Sequence, residues 1–208
     1  MRQINPLPDD GMMKTFPENI RPNFAGDYPN IDASALIDPS AQIIGNVRIG
    51  KNVFVGPLAV IRADERGADG RVHPIVLDEE VNVQDSVIIH SHGGASVYIG
   101  PGTSVAHGVI IHGPCTIGEA SFLSMRATLF NVSLGAAVWV GIGALVMQTT
   151  LPANTFVPAG SVIRSILDAA GLGLVSAKEK NYMAKVTAAS KEFLNDYVKF
   201  TNSRKTTS

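Results

Sequence analysis

The chain has 208 residues, 17 Lys and Arg against 18 Asp and Glu, a formal net charge of -1 and a single cysteine, Cys115. That length suits one well-cored domain with an appendage, and the balanced charge gives no basic field for nucleic acid. One cysteine excludes a disulfide framework or a thiolate-rich metal cluster within one chain, and no run of 18 apolar residues suggests a membrane span. The N-terminal stretch has no apolar run of signal-peptide length, so a soluble cytoplasmic protein without membrane partners is expected.

Residues 1–30 hold five prolines, Pro6, Pro8, Pro17, Pro22 and Pro29, and little apolar periodicity, so they are expected to form an extended arm. From Ile31 the pattern changes. Aliphatic residues recur at Ile31, Ile37, Ile43, Ile49, Val55 and Ile61, a strict period of six. After an interruption at RADERGADGRVHP the period resumes at Ile75, Val81 and Val87, passes Gly93, and continues at Ile99, Val105, Ile111, Ile117, Leu123 and Leu129. It then drops one residue to run Leu134, Val140 and Val146, and one more to run Leu151, Val157 and Ile163.

A period of six fits neither the 3.6 of a helix nor plain strand alternation, yet it is a multiple of two. A short strand and a bend in every six residues satisfy both facts, and three such units make a coil of about 18 residues in a stacked parallel β-helix. Glycines after the aliphatic position (Gly50, Gly56, Gly100, Gly118, Gly135, Gly141) and small residues four places on fit the bends. A sandwich of short strands is the competing architecture, but it does not require so strict a spacing. The expectation is a mainly β protein, a left-handed parallel β-helix of hexapeptide repeats over 31–163, followed by a linker and C-terminal helix over 164–208. Ser176 and Glu179 look like a capping box opening that helix, and Tyr182, Met183, Val186, Phe193, Leu194 and Tyr197 give it an apolar stripe. The stripe is expected to pack along the outside of the β-helix or on a neighbour.

The stretch Gln84–His112 holds four of the five histidines. None of His90, His107 and His112 occupies an inward aliphatic slot. Counting from Val87 puts His90 and His107 on one face, one coil apart, with His112 opening the next face. Two chains meeting at that corner would bring His90 and His112 of one to His107 of the other. Three neutral imidazoles with an open position are the ligand set of a catalytic zinc or a similar divalent ion; scattered surface histidines are the bland alternative. His73, in the interrupting loop, reads as a surface residue, and Cys115 as a small packing residue rather than a nucleophile.

The ordered set IRADE at 61–65, NVQD at 82–85, His90 and AHGVIIHGP at 106–114 resembles the gamma-class carbonic anhydrases, including their carboxysomal branch. The resemblance covers the whole β-helix. It implies a homotrimer with a divalent metal, Zn2+ or else Fe2+ or Co2+, at each subunit interface on His90, His107 and His112. It further implies interface ion pairing by Arg62, Asp64 and Asp85, a hydrogen bond between Gln84 and the metal-bound water, and proton acceptance or orientation of the nucleophile by Glu65. The implied reaction is reversible hydration of CO2 to bicarbonate by metal-bound hydroxide. The regenerating proton must leave through a titratable group near the metal, either Glu65 at the site or His92 passing it toward solvent.

Two features depart from the family. The long acidic loop after the first histidine, with its shuttle glutamate, is replaced here by SHGGASVYIG, and the C-terminal helix does not match the tyrosine and asparagine that some members bring to the site. A hexapeptide acyltransferase using acyl-CoA, and a low-activity or non-catalytic assembly protein retaining the metal, therefore stand as alternatives.

Overall fold

The computed structural model describes residues 18–205, and side chains as far as residue 200. Every strand pairing in the repeat region is parallel, and the pairs join strands one coil apart. The result is a β-helix with three flat faces. One aliphatic column runs Ile43, Ile61, Ile89, Ile111, Leu129, Val146 and Ile163. A second runs Ile31, Ile49, Leu77, Ile99, Ile117, Leu134 and Leu151. The third runs Ile37, Val55, Val83, Val105, Leu123, Val140 and Val157. From the second coil to the sixth these side chains are at most 3% exposed, so the three columns fill the tube and are its core. The period of six is thus the period of the faces, as the sequence requires.

The corners ask for left-handed backbone even at residues with a side chain. Asn52, Leu58, Glu80 and Ser86 all sit near φ +55 to +59. Each such residue costs about 1–2 kcal/mol, a cost offset by the continuous interior that the sharp corner permits.

Two coils are longer than the rest. The step from Ile61 to Ile89 spans ten residues more than the step from Ile43 to Ile61, and the step from Ile89 to Ile111 spans four more. The extra residues form loops 64–74 and 92–96, which leave the tube at adjoining corners. This corrects the reading of the repeat in the middle of the chain. The column residues there are Leu77, Val83 and Ile89, two places later than Ile75, Val81 and Val87, which are buried beside them.

Of the expected arm, residues 1–17 lie outside the described residues. Its second half adds to the tube: Ile20–Arg21 pairs with Ile43–Ile44, and the Asn23 amide donates to the Ala63 carbonyl at 3.1 Å.

After the last coil come a short helix α1 (Ile166–Ala169) and a long helix α2 (Ala177–Lys205). The capping box is present: the Ser176 hydroxyl meets Glu179, and the Ser176 N–H donates to Glu179 Oε2 at 3.2 Å. Helix α2 lies along the third face. Phe193 meets Phe54 edge-on at 5.1 Å, and Tyr182 packs on Phe122 and Trp139 at 5.6 and 5.7 Å. Leu194 is only 7% exposed beneath it. Lys191 pairs with Glu80 at 2.8 Å at the margin.

Candidate functional site

The frame correction moves the histidines. His90 follows Ile89 as His112 follows Ile111, so the two occupy the same position of successive coils and pair in register. They share one face, contrary to the count from Val87, because the four-residue loop between them offsets the frame. The outward ladder on this face reads Arg62, His90, His112 and Phe130. The two imidazoles sit with centroids 5.4 Å apart and planes at 78°. His112 rests against Phe130 at 5.5 Å.

His107 stands elsewhere, at the corner between the third face and the histidine face, directly above Asp85 of the preceding coil. Its Nδ1 lies 3.4 Å from Asp85 Oδ2, and about half of its side chain is exposed. Among the described residues of one chain, no three His, Cys, Asp or Glu side chains converge as a metal site.

Loop 64–74 brings carboxylates to the upper edge of the pair. Arg62 Nη1 donates to Asp64 Oδ2 at 2.9 Å, and His90 Nε2 lies 3.4 Å from both Asp64 Oδ1 and Glu65 Oε1. Those approaches are not ion pairs. Burial holds the His90 imidazole below its usual pKa, Arg62 pushes the same way, and the two carboxylates oppose them without reversing the direction. His90 is therefore neutral at pH 7, the state in which an imidazole can ligate a metal.

Glu65 is shifted down as well. The Gly93 N–H donates to its Oε2 at 3.0 Å and is the largest cause, with His90, His92 and Arg62 adding to it. Glu65 is thus a carboxylate at neutral pH. His92 projects from loop 92–96, 84% exposed, with Nδ1 3.6 Å from Glu65 Oε2.

The two loops that hold this arrangement touch through Gly94, whose φ is +67. A Cβ there would stand 2.2 Å from Gly67 N and 2.7 Å from Glu65 O, so only glycine permits the approach.

Among the described residues five buried side-chain atoms have no hydrogen-bond partner. Three of them, His90 Nε2, His112 Nδ1 and Asp64 Oδ1, lie together at the histidine face, while Ser124 Oγ and Thr149 Oγ1 are unrelated cases. Buried polar nitrogens are almost always satisfied. Two imidazoles a rung apart, each with an orphaned nitrogen, fit two ligands of a divalent ion and lack the rest of its shell.

The sequence reading missed Asn82. It lies in the NVQD string, two residues before Gln84, and accepts from Gln84 Nε2 at 2.7 Å through Oδ1. Its position on the same side of the strand was the available signal. Cys115 is buried at 3% exposure, and burial pushes its thiol pKa up, as suits a packing residue. His73 is half exposed and pairs with Asp69 at 3.0 Å.

The family profile described as "Bacterial transferase hexapeptide (six repeats)" matches residues 28–63. A carbonic anhydrase of Methanosarcina thermophila is 34% identical over 160 residues, covering 68% of this chain and 62% of that protein. A carboxysome assembly protein CcmM of Nostoc is 32% identical over 178 residues, covering 81% of this chain and 31% of that protein. A hexapeptide transferase family protein of Anaplasma phagocytophilum shares the fold at TM-score 0.71 and 23% identity, covering 88% of this chain and 99% of its own. The chain belongs to the hexapeptide-repeat, left-handed β-helix proteins, in their gamma-class carbonic anhydrase-like branch. It spans less than two thirds of the length of either curated relative.

Proposed function

We propose that the protein is a metal-dependent carbonic anhydrase, interconverting CO2 and bicarbonate as a homotrimer in the cytoplasm. Each site takes His90 and His112 from one subunit and His107 of the partner subunit. The observation that carries this reading is the pair of in-register imidazoles with buried, unpartnered nitrogens. Likeness to the Methanosarcina carbonic anhydrase supports the reaction.

A zinc ion bound there, or ferrous iron or cobalt, supplies a Lewis acid able to lower the pKa of water from about 15.7 to near 7. The chain's own residues do the rest. Burial and Arg62 keep His90 unprotonated. Arg62 also pins Asp64 beside it and so limits the charge facing the ring. Glu65, ionised through the Gly93 N–H and 3.4 Å from His90, is the proton acceptor. His92, exposed and within 3.6 Å of Glu65, hands that proton to solvent. This loop route stands in for the acidic loop that the chain lacks. Gln84 orients the oxygen that reacts, and Asp85 steadies His107 at the corner.

The test is metal analysis of anaerobically purified protein followed by stopped-flow CO2 hydration on the same sample. We expect about one zinc or iron per chain, lost in His112→Ala and in His107→Ala, and hydration well above buffer. Equal metal in wild type and His107→Ala overturns the ligand set. Full metal with no hydration overturns the reaction and leaves an assembly role.

A further inference from the structure

Helix α2 reaches the site through a hydrogen-bond chain whose direction is determined at one end. The Ser190 hydroxyl donates to the Val186 carbonyl at 2.9 Å, because a backbone carbonyl can only accept. The Ser190 oxygen is thereby left as an acceptor, and it takes the Asn82 NH2 at 2.8 Å. With its NH2 turned to the helix, Asn82 presents Oδ1 to Gln84, whose Nε2 donates at 2.7 Å. With one of its N–H groups spent on Asn82, the Gln84 amide has its carbonyl oxygen turned away from Asn82 and free to accept. Asn82 is 5% exposed, so water cannot make good the mismatch that a flip would create: flipping Gln84 sets its oxygen against Asn82 Oδ1, and flipping Asn82 sets two NH2 groups face to face. Gln84 and His107 line one pocket of about 350 Å³, walled by Phe122, Met125 and Tyr182.

We propose that Ser190 is a positioning residue: through Asn82 it holds the Gln84 amide with its oxygen, not its NH2, toward the pocket shared with His107. Gln84 then acts as an acceptor. It can hold an oxygen that carries a proton, as in the water that attacks CO2 or the hydroxyl of bicarbonate, and it repels an unprotonated carboxylate oxygen. This rests on the proposed hydration reaction for its kinetic consequence, but the orientation itself does not depend on any reaction.

The experiment therefore has two arms, both on the full chain. In the first, 1H–15N spectra follow the Gln84 side-chain amide. Wild type is expected to show one shifted, slowly exchanging proton, and Ser190→Ala to move that resonance to the free-amide position, while Ser190→Thr keeps it. An unchanged Gln84 resonance in Ser190→Ala overturns the proposal whatever the enzyme does. In the second arm, zinc-supplemented protein is assayed for CO2 hydration in a double-mutant cycle. Ser190→Ala is expected to lower kcat about fivefold, the factor set by one neutral hydrogen bond, with bound zinc unchanged and Ser190→Thr restoring the rate. In a Gln84→Ala background the same substitution is expected to do nothing further. An equal loss in both backgrounds means that Ser190 acts only through the fold, and the proposal fails. A positive spectrum with no hydration in wild type refutes the reaction and leaves the amide lock standing.

Discussion

Gly94 and Gly93 are neighbours with nearly the same backbone, φ +67 and +60, and they offer a controlled test of how the loops hold Glu65. Any residue other than glycine at either position pays about 1–2 kcal/mol for left-handed backbone. At Gly93 that is the whole effect, since an added Cβ meets nothing within 4 Å. At Gly94 the Cβ would lie 2.2 Å from Gly67 N, and ordinary contact begins at 3.4 Å, so loop 64–74 must retreat by about 1.2 Å. Glu65 sits at the base of that loop, and its carboxylate takes its hydrogen bond from Gly93 on the other one. A misplacement of about 1 Å at a reacting group costs on the order of 100-fold in rate. We therefore expect Gly94→Ala to lower kcat about 100-fold, and Gly93→Ala only a few-fold. Both variants should keep their metal, because His90 and His112 stand on the coil and not on the loops. Stopped-flow hydration with metal analysis on the same samples decides the matter. Equal losses in the two variants, or a Gly94→Ala enzyme with most of its activity, would refute the account of loop contact.

Two further predictions concern the scaffold. Leu129→Ala empties part of a fully buried column and should cost about 2–5 kcal/mol, read as a lower urea midpoint at constant slope and fixed protein concentration; a loss under about 1 kcal/mol would mean that the tube collapses around the gap. The Glu179 carboxyl is held below its ordinary 4.5, chiefly by the Ser176 hydroxyl. A lowered folded-state pKa stabilises above the unfolded value and is lost as pH falls through the folded one, so the start of α2 should fray below about pH 4.5. Amide exchange at Ser176 and Lys178 should show this, and Glu179→Gln should abolish the pH dependence while raising exchange at neutral pH.

The fold was legible because its signal is periodic and local. Each column residue from Ile31 to Ile61 and from Ile99 to Ile163 carries its own evidence in its spacing, and the capping box of α2 lies within four residues. The frame failed only where loops of ten and four extra residues intervene, because a loop's length says nothing about the phase at which the coil resumes. That local failure had a functional consequence. A slip of two residues placed His90 with His107 when it belongs with His112. The hydrogen bond from Asn82 to Ser190 spans 108 residues and leaves no periodic trace.

The placement of the groups explains why the insertions are tolerated. Both loops leave at corners and they close on each other, so backbone groups taken out of the coil find partners in the opposite loop: His73 N–H donates to the Gly94 carbonyl at 3.1 Å. The coil alone carries the buried imidazole pair, the loops alone carry Glu65 and His92, and α2 alone carries the contact that orients Asn82 and Gln84. Three kinds of damage should therefore separate. A core substitution lowers stability before it changes the site. A loop substitution such as Gly94→Ala lowers rate at constant metal. A change at His107 alone should affect metal content and subunit association together, because no second histidine lies at its corner to replace it. A variant at that corner that lost metal yet kept its trimer at all concentrations would show that the ligands and the interface are separable, and that the junction between subunits does not depend on the shared ion.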